Sequence, residues 1–408
     1  MNYPGLPLAG IRVADFTWIG AGSYATKILA DFGAEVVKIE SSRRIDSLRM
    51  AAPYKDRVKG VNRSGYFADR NTGKRSLALD MKHPGALEVA QKLIARSDIV
   101  ANNFTPGVME RFGLGYEAVR AIRPDVIYVA MSMQGSAGPE HQYLGYGASM
   151  AALTGLQHLT GLPGREPAGT GTNFPDHVPN PCHAAFAIMA ALRHRRRTGE
   201  GQLLDIAQTE PTIALLGPTF LDLTVNGRVQ QPNGNEHPWA APHGVYPCKG
   251  DDRWIAICVM SDAQWLALGD VLGGPAWTRD ATLRAGGERH ARRKELDVSL
   301  AAETAQWMAE DLMHALQARR VPAGVVQTAA DLVERDPQLA HRAHWVTLAH
   351  AEMGRTIYNA PPIRFSRTPV ELKQPAPLLG EHTDEICRDL LGLSDEETRR
   401  LKEKGVLV

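Results

Sequence analysis

Six short apolar runs constrain this chain more than any other feature. Residues 11–16, 35–40, 76–80, 98–102, 126–131 and 202–206 read as strands, with helix-forming segments between them. A strand buried on both faces is a near-continuous apolar run, and two parallel strands need a crossover, usually a helix. The spacing therefore predicts an α/β domain with a largely parallel sheet and helices on both faces. Residues 23–32 supply one such helix, closed by Gly33, and Pro84 opens another. Sheets of this kind receive ligands outside the carboxyl ends of their strands.

The texture changes near residue 227. Residues 229–243 are rich in Pro, Asn and Gln, as a connector is. Residues 245–249 and 254–259 form a strand pair across Gly250-Asp251-Asp252, and helical segments run over 262–319. Mixed elements return from about residue 328 and close on a charged helix at 395–403. A chain of 408 residues exceeds what one core usually serves. A second, smaller α+β domain is expected after residue 227.

The formal net charge of +1 argues against a general nucleic-acid binder or a protein held to a membrane by charge. The basic cluster Arg193-His194-Arg195-Arg196-Arg197 ends a helix, where cations complement the dipole. Four cysteines lie far apart, so neither a zinc site nor a disulfide framework is implied, and no metal is expected. No run is long and apolar enough to span a bilayer, and Met1-Asn2-Tyr3-Pro4-Gly5 lacks a leader pattern. A cytoplasmic location is expected.

Two motifs carry chemistry. Asp176 lies in Asn173-Phe174-Pro175-Asp176-His177-Val178-Pro179-Asn180-Pro181, which opens a long Ala-rich helix. A carboxylate there sees free N–H groups and the positive end of the dipole, which favour the ionised form. It serves either as a cap worth about 1 kcal/mol or as a nucleophile. The second motif is Gly20-Ala21-Gly22-Ser23-Tyr24-Ala25, between a strand and a helix, with Glu40 about twenty residues on. It outlines a dinucleotide fingerprint, or else a tight turn of any parallel α/β fold. Bulky Trp18-Ile19 precedes it, and no nicotinamide-side His and Arg pair follows.

Several blocks together resemble the family III CoA-transferases, the group of formyl-CoA and carnitine CoA-transferases. They are Pro7-Leu8-Ala9-Gly10-Ile11-Arg12-Val13-Ala14-Asp15-Phe16-Thr17, then Leu29-Ala30-Asp31-Phe32-Gly33-Ala34-Glu35-Val36-Val37-Lys38-Ile39-Glu40, then Asn71-Thr72-Gly73-Lys74-Arg75-Ser76. Asn102-Asn103-Phe104-Thr105-Pro106-Gly107-Val108-Met109-Glu110-Arg111-Phe112-Gly113, the Asp176 segment, Thr198-Gly199-Glu200-Gly201-Gln202 and Pro377-Leu378-Leu379-Gly380-Glu381-His382-Thr383 follow in the family's order. The resemblance implies a Rossmann-like large domain built from both chain ends, with the small domain inserted. That assigns residues 1–226 and 328–408 to the large domain and 227–327 to the small one with its linkers. It also implies two ring-shaped chains that interlock, as a homodimer or with a related chain.

For activity, the resemblance implies transfer of CoA from an acyl-CoA to a carboxylic acid. Asp176 matches the nucleophile, which would pass through an acyl anhydride and an aspartyl-CoA thioester. No permanent cofactor is implied; CoA thioesters are substrates. By resemblance, Lys38, Lys74, Arg75 and Arg111 would meet the CoA phosphates, and Asn103 and Phe104 the adenine or pantetheine. Thr17 and Trp18 would face the nucleotide, with Tyr146 beside them, and Trp239 and His243 would face the acceptor acid. Succinyl-CoA is expected as donor, and an aromatic or branched dicarboxylate such as benzylsuccinate as acceptor.

Three other functions compete with this one. The α-methylacyl-CoA racemases resemble these transferases but carry a Gly-His-Asp segment where this chain reads Gly145-Tyr146-Gly147-Ala148. An NAD-dependent dehydrogenase would use the glycine motif. A non-catalytic partner subunit would lack the Asp, which this chain keeps.

Overall fold

The computed structural model describes residues 5–408; Met1 to Pro4, read above for a leader pattern, lie outside them. Contacts divide the chain into two compact units. Of the described residues, the first comprises 5–160, 167–230 and 340–408, and the second 161–166 and 231–339.

The first unit is built on strands β1 (Arg12–Asp15), β2 (Glu35–Glu40), β3 (Arg75–Ala78), β4 (Ile99–Asn102), β5 (Ile127–Ala130) and β6 (Gln202–Asp205). They form one sheet in the order β3-β2-β1-β4-β5-β6, and every neighbouring pair is parallel. The order reverses between β1 and β4, which makes a ligand crevice at their carboxyl ends. The α/β class and the parallel sheet are as the strand spacing predicts.

Helices α1 (Ile19–Asp31), α2 (Gly65–Arg70), α3 (Ala86–Ile94), α4 (Val108–Arg111), α5 (Tyr116–Ile122), α6 (Gly147–Leu153), α7 (Leu156–Leu159), α8 (Phe174–His177) and α9 (Pro179–Thr198) accompany the sheet. Alternate residues of each strand feed opposite cores. Val13, Val36, Ile99, Ile127 and Val129 pack with Ala25 and Leu29 of α1 and Ala184 and Ile188 of α9. Ala14, Val37, Val100 and Tyr128 pack on the other side with Val89 and Leu93 of α3. Burying both faces explains why the strands read as apolar runs rather than as alternating ones.

The end of the chain completes the second of these cores through Ile386, Cys387, Leu391, Val406 and Leu407. Before that, residues 380–383 cover the edge strand β3. The Gly380 N–H donates to Ser76 Oγ, the His382 N–H to the Ser76 carbonyl, and the Thr383 hydroxyl accepts from Ala78 N–H. Gly380 takes φ +67°, and a Cβ there would lie 2.9 Å from Ala78 Cβ. The glycine of this block thus lets the tail seal an edge that would otherwise expose unpaired backbone.

Two helices differ from the sequence expectation. Helix α1 starts at Ile19, four residues before the expected start. Asp176 does not open α9. It lies in the one-turn α8, and Val178, with φ −124° and ψ −71°, separates the two helices. The Pro-Asn-Pro start of α9 offers few N–H groups, and the backbone donor to the Asp176 carboxylate is instead Gly147.

In the second unit, β7 (His243–Pro247), β8 (Trp254–Cys258) and β9 (Ala323–Val325) form an antiparallel sheet. Helices Asp262–Val271, Arg293–Thr304 and Ala309–Ala318 pack on it through Trp265, Leu268, Leu296, Leu300, Leu312 and Leu316. An antiparallel hairpin of β10 (Trp345–His350) and β11 (Gly354–Asn359) belongs to the first unit. Its Tyr358 packs with Phe67 and Tyr66 of α2. No helix among the described residues is long and apolar enough to cross a membrane.

Candidate active site

The turn after β1 organises the site. Asp15 Oδ1 accepts from the Thr17 N–H (3.0 Å) and hydroxyl (2.5 Å). The Trp18 N–H donates to Asn103 Oδ1 at 2.8 Å, and Asn103 Nδ2 donates back to the Trp18 carbonyl at 2.7 Å. This reciprocal pair ties the β1 turn to the β4 turn across the switch point. Trp18 and Phe104 meet edge to face at 5.6 Å. Ile19 then takes φ +63°, which is strained for a β-branched residue. Asp46 holds it there by accepting the Ile19 N–H at 3.0 Å.

The strained turn delivers Gly20 to Asp176. A Cβ on Gly20 would lie 2.8 Å from Asp176 Cβ and 3.2 Å from Oδ2. From the other side, the Gly147 N–H at the start of α6 donates to Oδ2 at 3.0 Å. A Cβ on Gly147 would come within 2.8 Å of that oxygen. Gly22 serves the same turn, since a Cβ there would meet Thr17 Cβ at 2.7 Å and Asn103 Cγ at 2.9 Å. The Gly20-x-Gly22 pattern is therefore accounted for by close packing, of Gly20 on the Asp176 carboxylate and of Gly22 on Thr17 and Asn103. Glu40, the acidic residue of the dinucleotide outline, pairs with Arg49 through Nε (2.9 Å) and Nη2 (2.6 Å). That leaves it poorly placed to bind a ribose.

Asp176 is only 4 % exposed. Burial pushes its pKa up to about 6, against the Gly147 hydrogen bond and the positive field of Arg70. At neutral pH it is mostly ionised but poorly solvated, as suits a nucleophile. Arg70 reaches His177 Nδ1 through Nη2 at 3.0 Å, and His177 Nε2 lies 3.3 Å from the Tyr66 hydroxyl. Burial, then Arg70, lowers His177 to about 4, so the ring is neutral at pH 7. Burial raises the pKa of the Tyr66 phenol, against the field of Arg70 and together with that of Asp176.

A cavity of about 450 Å³ opens at the carboxyl ends of β1, β2, β3 and β4. Its lining includes Phe16, Trp18, Ile39, Leu79, Phe104 and Tyr146. Tyr146 precedes Gly147, and Trp18 lies two residues before Gly20. The cavity wall and the two glycine contacts to the carboxylate are thus parts of the same turns.

The expected residues divide into three groups. Trp18, Phe104 and Tyr146 line the cavity, Asn103 braces it, and exposed Arg111 lies in α4 beside the lining residues Val108 and Phe112. Thr17, Lys38 and Lys74 are fully buried instead. Lys38 Nζ contacts Asp46 (2.9 Å) and the Thr17 carbonyl (2.8 Å), and Lys74 Nζ contacts Asp15 (3.0 Å). Their ammonium groups neutralise internal carboxylates and do not line a groove. Arg75 starts β3 and pairs with Glu35 (2.5 Å) and Glu385 (3.0 Å), so it sits at the amino end of the sheet, opposite the cavity. Trp239 and His243 belong to the second unit. Trp239 is 57 % exposed and stands edge-on to His237 at 4.6 Å. His243 Nδ1 donates to the Asn235 carbonyl at 2.7 Å.

Sequence reasoning missed Arg70, Tyr66 and the cavity cations Arg44 and Lys82. A lone Arg or Tyr carries no signal until the fold brings it to a site. Among the described residues, no group of three or more His, Cys, Asp or Glu is arranged to hold a metal ion.

Comparison with known proteins fits this geometry. The profile of CoA-transferase family III matches residues 8–383. The chain is 32 % identical over 408 residues to the succinyl-CoA–D-citramalate CoA-transferase of Chloroflexus aurantiacus, covering 99 % of each. It is 32 % identical over 387 residues to the succinate–glutarate CoA-transferase of Agrobacterium fabrum, covering 94 % of this chain and 96 % of that one. The crystal structure of a CaiB/BaiF family protein from Brucella suis superposes with a TM-score of 0.87 at 32 % identity, over 95 % of this chain and all of the other. The chain is a CoA-transferase and belongs to family III.

Proposed function

We propose that the chain transfers CoA from succinyl-CoA to a second dicarboxylic acid, with Asp176 as the covalent nucleophile. The observation that carries this reading is the carboxylate itself. It is buried, raised to about 6, and held between two glycines that join it to the cavity wall. The names of the two relatives compared above support the choice of acids.

The Asp176 carboxylate attacks the thioester carbonyl, which gives an acyl-aspartyl anhydride and CoA thiolate. The thiolate then attacks the aspartyl carbonyl, giving an aspartyl-CoA thioester and releasing the donor acid. The acceptor carboxylate attacks that thioester, expelling the thiolate and forming a new anhydride. The thiolate finally attacks the acceptor's acyl carbon, releasing the new acyl-CoA and free Asp176. Both intermediates hydrolyse if water enters, so burial of the nucleophile is a requirement of the chemistry. The Gly147 N–H is aimed at an Asp176 oxygen, which carries the charge when the thiolate or the acceptor carboxylate adds to the aspartyl carbonyl.

In this reading the CoA lies in the cavity against Trp18, Phe104 and Tyr146. Arg44 and Lys82, which line it, and nearby Arg111 take the phosphates. None of the three forms an ion pair among the described residues, so their charge is free for a ligand. We assign the acceptor-facing role to Trp239 and His243 of the inserted unit, and an interlocked dimer as the working form. Phe186 and Val225, each 74 % exposed, and Leu221, 62 % exposed, are large apolar side chains that such an interface would cover.

Trapping tests the nucleophile. Incubation with succinyl-CoA and no acceptor, followed by hydroxylamine, is expected to leave a hydroxamate on the peptide containing Asp176. A racemase would leave that peptide unmodified and would place solvent deuterium in the acyl α-position, which would refute the transferase mechanism.

A further inference from the structure

Arg70 sits beside the nucleophile in an arrangement the transfer steps do not use. Its side chain is 12 % exposed and pairs with Asp69 through Nη1 at 2.6 Å. The guanidinium lies over the Tyr24 ring, 4.3 Å from its centroid, and within 5.9 Å of the Tyr66 ring. Nη2 faces His177, while the buried Nε–H has no acceptor. A desolvated donor without a partner is costly unless a ligand completes it. The positive field of Arg70 also reaches Asp176 and opposes the rise that burial gives its pKa.

The hydrogen bonds have a fixed direction. Arg carries only donors, so Nη2 donates and His177 Nδ1 accepts. The His177 proton therefore resides on Nε2 and is given to the Tyr66 oxygen. Tyr66 therefore keeps its hydroxyl hydrogen to give to a third partner.

Charge balance shows when that partner arrives. Acylation turns the Asp176 anion into a neutral anhydride. An unopposed guanidinium would then remain in a dry site, with only the partly exposed Asp69 against it. A dicarboxylic acyl group restores the balance, because its second carboxylate replaces the charge that Asp176 has lost.

We propose that Arg70 and the Tyr66 hydroxyl, aligned by His177, form the subsite that binds the distal carboxylate of a dicarboxylic substrate. This rests on the transferase reading above and adds the residues that select its substrate class. His177 acts here as a positioning residue, and Arg70 and Tyr66 touch the substrate.

The test compares matched acids on the full-length chain. CoA transfer is measured from succinyl-CoA to glutarate and to valerate, which has the same carbon chain but one carboxylate. Direct binding of succinate and butyrate is measured by calorimetry alongside. The wild-type chain is expected to favour the diacid in both assays. Arg70→Gln is expected to lower kcat/KM for glutarate about 100-fold while leaving valerate within about threefold. Arg70→Lys is expected to recover part of the loss, and Tyr66→Phe to cost about tenfold on the diacid alone. Circular dichroism melts identify any variant that fails to fold, in which case Tyr66→Phe decides. Equal losses on both acids, or a wild-type preference for valerate, would overturn the subsite. If no pair exchanges CoA but succinate still binds through Arg70, the subsite stands and the transferase mechanism falls.

Discussion

Two buried carboxylates of the first unit have opposite surroundings. Asp46 is enclosed by Lys38 and by the N–H groups of Leu48 and Ile19. Burial alone would raise its pKa, but these partners hold it below the ordinary value. Asp176 is buried to a similar degree and receives one backbone N–H and the field of Arg70, so burial prevails and the pKa rises to about 6. Asp46, with the neighbouring pairs Asp15–Lys74 and Glu40–Arg49, is structural and holds the strained Ile19 turn. Asp176 is left incompletely satisfied, which costs stability and keeps it reactive. A pair of fully satisfied carboxylates would give a firmer fold and no nucleophile.

Exchanging the two losses breaks the comparison most sharply. Asp176→Asn is expected to reduce transfer by at least about 10⁴-fold, because the covalent route disappears, while the melting transition stays cooperative. Lys38→Met should do the reverse in urea unfolding. It leaves Asp46 buried without its cation and is expected to cost about 3–5 kcal/mol. If Lys38→Met unfolds at the wild-type midpoint, the structural role of the pair is lost.

A pH series sharpens the same contrast. The pKa of Asp176 is higher folded than unfolded, so ionisation is harder in the folded state. Its stability contribution is therefore fullest below about pH 4 and declines as pH rises through about 6. The total is roughly 3 kcal/mol for a shift of about two units. Asp176→Asn lacks this decline and should melt progressively higher than wild type from pH 4 to 7, with the gap constant above that. Wild-type activity should fall below about pH 6 as the nucleophile takes up a proton. Melting curves with parallel pH dependence would contradict the burial argument.

The smallest expected effect comes from geometry alone. Gly20→Ala places a methyl carbon 2.8 Å from Asp176 Cβ, so the nucleophile must shift. We expect kcat to fall about 100-fold with little change in KM, since a displacement near 1 Å costs that much. Initial-rate kinetics at saturating CoA ester would show it. An unchanged kcat would mean that the two glycines are not what fixes the carboxylate.

Much of the fold was legible because it follows from local pattern. The six strands match within a residue or two, since a doubly buried strand has to be an apolar run. The helix Asp395–Glu403 appears where its charged pattern placed it, with Ser394 and Glu397 forming a capping box. The hairpin of β10 and β11 was not read, because its half-exposed residues give no continuous run. Asp176 was found through its motif, but its electrostatics were read wrongly. The residue belongs to a separate turn, and its hydrogen bond comes from Gly147, 29 positions away.

Sequence alone determined the fold class, the family and the identity of the candidate nucleophile, since each is written in short runs of neighbouring residues. Tertiary structure decided what each charge does. Lys38, Lys74 and Arg75 looked like phosphate ligands, yet two are buried against carboxylates and the third lies at the far edge of the sheet. Arg44, Lys82 and Arg70 had no motif, yet they face the cavity or the nucleophile. The reason is physical: whether a cation is a ligand or a counter-ion depends on its burial and on the groups within a few ångströms. Those groups come from distant parts of the chain.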